Sequence, residues 1–188
     1  THCPVGALRE RDDTSRVMAA IHDPEIVTVV QVAPAVRAAW GESLGVDRDF
    51  ATAQRMVSAL KRIGFDYVFD TNFTADLTIM EEATELLNRV KNGGKLPMIT
   101  SCSPGWVNYA EYNYGDLLGH LSSCKSPHEM FGAILKTYYA NKIGVDPKDM
   151  FVVSIMPCSC KKYEKEREQM ITGGLADVDA VLTTRELG

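Results

Sequence analysis

Residues 26–32, IVTVVQV, form a nearly unbroken β-branched run, the pattern of a strand buried on both faces of a parallel sheet. The run breaks at Ala33-Pro34, and a helical stretch is predicted over 34–41. Apolar residues recur at helical spacing through ATAQRMVSALKRI, 51–63, where Gly64 ends the element. YVFD, 67–70, predicts a short strand. The strongest helical pattern is DLTIMEEATELLNRVKN, 76–92, stopped by Gly93-Gly94. Its predicted apolar face is Ile79, Ala83, Leu86 and Val90, with Glu82, Glu85 and Arg89 as a stripe along the border. LPMITS (96–101) predicts the next strand, 126–142 a helix, FVVSIM (151–156) a strand and VDAVLT (178–183) the last strand. Strands alternating with amphipathic helices predict an α/β fold, a mostly parallel twisted sheet flanked by helices on both faces. That architecture alone fixes no function.

Composition narrows the classes. The 188 residues carry a net charge of −5, with no basic footprint for nucleic acid. No apolar run is long enough to span a membrane, and there is no signal-peptide pattern, although a targeting segment could precede Thr1. The five cysteines, Cys3, Cys102, Cys124, Cys158 and Cys160, form an odd set without a disulfide framework. They read as reduced thiols of a cytoplasmic or anaerobic protein, available as metal ligands. The opening THCPVGALRERDD reads as the tail of something upstream. Its Cys-Pro before a small apolar turn suits either a loop cysteine or the last cysteine of a ferredoxin-type motif.

Three predicted strand ends carry unusual residues: Ala33-Pro34, the Cys102-Ser103-Pro104 of TSCSPGW, and MPCSCKKYE at 156–164. In a parallel sheet all three lie on one edge. Cys102 and Cys158 would then converge, with Met156 and Lys161 beside one of them, as in an iron–sulfur or other thiolate–metal site. The residues alone also allow both cysteines to be small buried hydrophobes, a common role for a free thiol. Zinc fits poorly, because CSC is not CxxC and no second pair stands at the usual spacing. Glu85 and Arg89 alone suit an i, i+4 pair on a solvated face.

Taken together, PMITSCSPGWVNYAE, LSSCKSP and MPCSCKKYEKEREQM…DVDAVLTTREL resemble the catalytic domain of the iron-only (FeFe) hydrogenases, whose first two cluster signatures read TSCCPxW and MPCxxKxxE. The resemblance extends over effectively the whole chain. It implies reversible interconversion of protons, electrons and H2 at an H-cluster, a 4Fe-4S cubane on four cysteines bridged to a di-iron subsite with CO and CN ligands. It implies that Cys158 holds the cubane, that Lys161 hydrogen-bonds a cyanide, and that Met156 packs against the di-iron subsite. Ala33 and Pro34 would line the same pocket and donate to a cyanide through the backbone. Cys102 would pass the proton, fed by a relay of Glu82, Ser122 and Glu85 with Arg89 at its outer end, and Glu164 would orient the shell around Lys161. Residues 1–12 would end a ferredoxin-like domain, with Cys3 the last ligand of an upstream 4Fe-4S cluster, and 13–188 would begin the catalytic domain. Implied partners are ferredoxin or NAD(P)H-linked electron-transfer subunits, toward which LSSCKSPHEM leans, and maturation proteins.

Two departures stand out. Ser103 occupies the place of a cubane cysteine, and a serine oxygen is a hard, poorly matched ligand there. Either Cys102 takes over ligation, or Ser103 binds through oxygen, or the cluster is altered. No stretch matches the family's third signature, which supplies the remaining cubane ligands, so the resemblance implies an amino-terminal half that is inactive alone. Cys124 and Cys160 are expected to be buried thiols. The rival expectation is a hydrogenase-like iron–sulfur assembly or scaffold protein without hydrogen chemistry, and a third is a hydrogen sensor with a weakened proton path.

Overall fold

Val29, Val30, Val152, Val153 and Ile155, all fully buried, form the middle of a parallel sheet in the computed structural model of the chain, which describes residues 3–5, 7 and 11–188. In chain order the elements are α1 (Thr14–His22), β1 (Val27–Val32), α2 (Pro34–Ser43), α3 (Ala53–Ile63), β2 (Tyr67–Asp70), α4 (Asn72–Asn92) and α5 (Pro104–Asn113). Next comes α6 (Pro127–Ile134), which runs through a π-helical turn, Leu135–Tyr139, into α7 (Ala140–Ile143). β3 (Met150–Met156), α8 (Cys160–Glu164), a small hairpin of β4 (Ile171–Thr172) and β5 (Leu175–Ala176), β6 (Ala180–Thr183) and α9 (Thr184–Leu187) follow. The sheet order is β2-β1-β3-β6, every pair parallel, in register Val29↔Tyr67, Val29↔Val152 and Val153↔Ala180. The fold is therefore α/β with helices flanking a parallel sheet. Each buried aliphatic side chain contributes about 1.5–3 kcal/mol by leaving water.

From β1 the chain crosses one way to β2, then returns past β1 to β3 on the other side. The carboxyl ends of β1 and β3 thus flank a topological switch point, where α/β sheets open a crevice. Ala33-Pro34 and Met156-Pro157-Cys158 stand at those two ends.

Three expectations change. Residues 96–101 form no strand of the sheet; they make one isolated parallel bridge, Ile99↔Leu121, with Ile99 N–H donating to the His120 carbonyl at 2.8 Å. Pro97 cannot donate to a ladder, which denies the segment a central place. The apolar face predicted for the long helix points outward: Ile79 is 65% and Val90 59% exposed, and Ala83 and Leu86 are also exposed. α4 turns its polar side inward because partners wait there: Thr74 and Thr78 are buried, the Thr78 hydroxyl reaches Met130 Sδ at 3.6 Å, and Glu82, Glu85 and Arg89 are half-buried. Finally, the tail assigned to 1–12 falls partly outside the described residues, at 1, 2, 6 and 8–10. Helices α1 and α5 were not foreseen by the periodicity. Among the described residues no helix is long and apolar enough to cross a membrane.

Candidate active site

The TSCSP segment reaches the switch-point crevice through side chains, since no ladder carries it there. Lys161 Nζ donates to the Cys102 carbonyl at 2.8 Å and to Glu164 Oε2 at 2.6 Å, so α8 holds the turn before α5. Tyr163 donates to Asn108 at 3.1 Å, and Arg167 forms an ion pair with Glu111, fixing α5 against the α8 segment. Pro34 and Pro104 each occupy the first helical position of their helix, where a missing N–H costs nothing. Ser103 stands at the N-cap of α5 in extended conformation, yet its side chain makes no capping bond.

Cys102, Cys158 and Cys160 are exposed at this rim, which removes the buried-hydrophobe reading for all three. Cys160 was expected to be buried; instead it is exposed, and a side chain at Gly105 would come within 3.9 Å of its sulfur. Burial and the neighbouring Cys158 together push the Cys160 thiol up. The donor set at the crevice is thus three thiols, soft ligands suited to iron–sulfur chemistry, and one lysine suited to a compact anion. Those residues fit one side of such a cluster.

Ala33 is buried and its N–H is already committed to the Ile155 carbonyl at 3.0 Å, while Pro34 has none. A backbone donor from these two residues is therefore not available; the first-turn amides of Ala35 and Val36 are the ones the helix leaves without an intrahelical acceptor. Met156 is buried at the end of β3, beside Thr183 of β6.

On α4, Arg89 donates to Glu85 Oε1 at 3.0 Å and to the Leu121 carbonyl at 2.6 Å, so it anchors the loop as well as the carboxylate. Glu85 Oε2 accepts from the Ser123 N–H at 3.0 Å and the Ser123 hydroxyl at 2.8 Å. The expected partner, Ser122, is buried one residue earlier and accepts from the Cys124 N–H at 3.1 Å. The residue that bonds Glu85 is Ser123. Burial would raise Glu85, but the Ser123 donors and Arg89 outweigh it and hold the carboxyl below its ordinary value. Burial pushes the Cys124 thiol up, and the negative charges of Glu82, Glu85 and Glu81 add to it against the Ser122 hydroxyl. Ser123 and Cys124 form a wall shared by two cavities. An outer one of about 430 Å³ touches Glu85 and Arg89; an inner one of about 240 Å³ touches Ser101, Pro104, Ser122 and Glu164.

Behind Lys161 lies a buried polar chain with an unambiguous direction. Glu164 is ionised and accepts only, being held low by His128 and Lys161 against the effect of its burial. His128 Nε2, 2.7 Å from Glu164 Oε2, therefore carries the ring's proton, and burial keeps the ring neutral. Its bare Nδ1 accepts from Ser154 at 3.2 Å; Ser154 accepts from Gln31 Nε2 at 2.9 Å; Gln31 Oε1 accepts from Thr71 at 3.1 Å. Gln31 and Ser154 are register partners on β1 and β3. Neither they nor His128 were singled out from the sequence. The available signal was a glutamine inside an otherwise apolar strand, IVTVVQV, which a buried amide must satisfy internally.

The family described as iron only hydrogenase large subunit, C-terminal domain, matches residues 26–188. Iron hydrogenase 1 of Clostridium pasteurianum is 51% identical over 184 residues, 98% of this chain and 32% of that protein. The NADP-reducing hydrogenase subunit HndD of Solidesulfovibrio fructosivorans is 50% identical over 191 residues, 98% of this chain and 33% of its own. More distantly, the cytosolic Fe-S cluster assembly factor NAR1 of Sclerotinia sclerotiorum is 34% identical across 86% of this chain and 32% of its own. Among solved structures, apo [FeFe]-hydrogenase HydA1 from Chlamydomonas reinhardtii, variant C377H, superposes with a TM-score of 0.89 at 44% identity, over 94% of this chain and 46% of that one. The chain thus spans about a third of the length of the curated relatives named here.

Proposed function

The chain belongs to the iron-only hydrogenase large-subunit family, and on that ground we propose that it forms the amino-terminal half of a hydrogenase catalytic domain, part of an enzyme that interconverts protons, electrons and H2. One observation carries the reading: Lys161 ties the Cys102 turn to Glu164 at the sheet rim where Cys158 stands, at the switch point of the sheet. Cys158 would hold a 4Fe-4S cubane, with Cys102 or Ser103 adjacent and Met156 and Ala33-Pro34 beneath. When bound, the H-cluster would supply the redox and hydrogen-forming chemistry. Lys161, fixed by Glu164, would present its ammonium to an anionic ligand. Glu85, kept ionised by Ser123 and Arg89, would accept protons from the outer cavity. Ser122 and Glu82 would carry them inward to the Cys102 thiol, a group able to act as both acid and base. Cys3 would end an upstream 4Fe-4S site, and electrons would come from ferredoxin or an NAD(P)H-linked subunit in a cytoplasmic assembly.

The test is production of the complete subunit containing this chain together with its maturation proteins. Hydrogen turnover with carbonyl and cyanide infrared bands is expected; both should weaken in Lys161→Ala, and turnover alone should fall in Glu85→Gln by about 10²–10⁴-fold. A second reading, an iron–sulfur assembly protein, draws on Ser103 in the place of a ligand. It predicts bound iron and sulfide with neither band nor turnover, and that result would replace the first.

A further inference from the structure

We propose that His128, Glu129 and Glu164 form a buried proton-binding site that holds one proton on Glu129 at neutral pH, and that this proton keeps Lys161 extended toward the Cys102 carbonyl. The donor and acceptor atoms of the three residues lie within 4.8 Å of one another, and all three side chains are buried. Their hydrogen bonds are unequally shared. Glu164 takes the only N–H of the neutral His128 ring and the ammonium of Lys161. Glu129 Oε1 lies 3.4 Å from the same ring nitrogen, whose proton is already committed, and neither Glu129 oxygen has a hydrogen-bond partner among the described residues.

Two carboxylates in one buried pocket with a single set of donors do not both ionise, and the one without donors retains its proton. The charges facing Glu129 agree. Glu164 and Asp177 oppose a further negative charge; Lys161 and Lys125 favour it, but each is already paired, Lys161 with Glu164 and Lys125 with Asp177. Burial first, then those carboxylates, push Glu129 up to about 9.

The effect on Lys161 follows from charge. With Glu129 neutral, one carboxylate faces one ammonium, which also reaches the Cys102 carbonyl at 2.8 Å. Ionised, Glu129 would add a second negative charge on the interior side and draw the ammonium inward, away from the crevice. Glu129 thus acts as a positioning residue for Lys161. The site stands whether or not the crevice binds a cluster, so its failure and that of the hydrogenase reading are separable.

The test is infrared spectroscopy of the protein. A protonated-carboxyl carbonyl band, shifted by deuterium, is expected at neutral pH, lost at strongly alkaline pH, and absent from Glu129→Gln and from Glu129→Met. Two variants are used because the amide must find partners and the thioether need not. The absence of the band from the folded wild-type protein, its persistence in either folded variant, or a stoichiometric divalent cation found by elemental analysis at the site would overturn the proposal. Should neither variant fold, the wild-type band must still disappear with alkaline titration in the folded protein, and a band insensitive to pH would refute the assignment. For positioning, amine-reactive labelling of Lys161 should match between wild type and the foldable variant at neutral pH, and fall severalfold behind in wild type once Glu129 ionises. A constant ratio would overturn that half.

Discussion

Glu129 and Glu164 share one pocket and are pushed in opposite directions, because hydrogen bonds rather than burial distinguish them. The consequence for stability has a definite sign. Below the ordinary glutamate value both folded and unfolded chains carry the proton, and the group is neutral in its effect. Above it only the unfolded chain releases the proton, so Glu129 lowers stability progressively as pH rises, until it ionises in the fold near 9. Urea unfolding across this range should show a decline on the order of a few kcal/mol that is much flatter in Glu129→Gln. Gly132 is a second single-residue determinant. A side chain there would sit 2.2 Å from the Asp177 carbonyl oxygen, backbone that cannot move aside cheaply. Gly132→Ala should cost about 1–3 kcal/mol in the same measurement, as overpacking does.

At the scale of elements, α4 decides how Glu82, Glu85 and Arg89 are presented. Its outward Ile79, Met80, Leu87 and Val90 make an exposed apolar strip, while its inward Glu85 and Arg89 find partners in the loop at 119–124. Ile79→Lys should therefore change unfolding free energy by no more than about 0.5 kcal/mol while reducing binding of a hydrophobic dye. If the pattern-derived orientation held instead, the same change would be strongly destabilising. Strands 27–32, 67–70 and 150–156 and the helix at 53–63 were legible because the strands are short apolar, mostly β-branched runs, the helix keeps helical spacing, and each element ends at or near Gly, Pro or Asp. The orientation of α4 was not, because its partners come from residues about 30–40 positions away in sequence, such as Ser123 on Glu85, and no local period encodes them. The strand assigned to 96–101 failed on a signal that was present, Pro97. Glu129 was equally hidden: an acidic residue just after Pro127 reads as a helix first-turn carboxylate in water.

Across the whole molecule, the polar chain from Thr71 through Gln31, Ser154 and His128 to Glu164 and Lys161 crosses the sheet and joins the β2 end to the crevice rim. Ser154→Ala would strand the His128 Nδ1 acceptor and one Gln31 donor in the interior. It should cost about 1–3 kcal/mol by urea unfolding, well above a surface serine. Topology carries Cys158 to the rim just past the end of the central strand β3, whereas Cys102 reaches it by a route the pattern did not contain. That difference has a mechanical outcome. One sulfur stands two residues beyond a central strand, the other on an irregular span that an ammonium strut from Lys161 grips at residue 102 itself. Cutting the strut with Lys161→Met should leave residue 158 in place and let residue 102 wander. Short bifunctional thiol reagents would then bridge the two less efficiently relative to long ones than in the parent protein, and equal efficiency would mean that the span is rigid by itself.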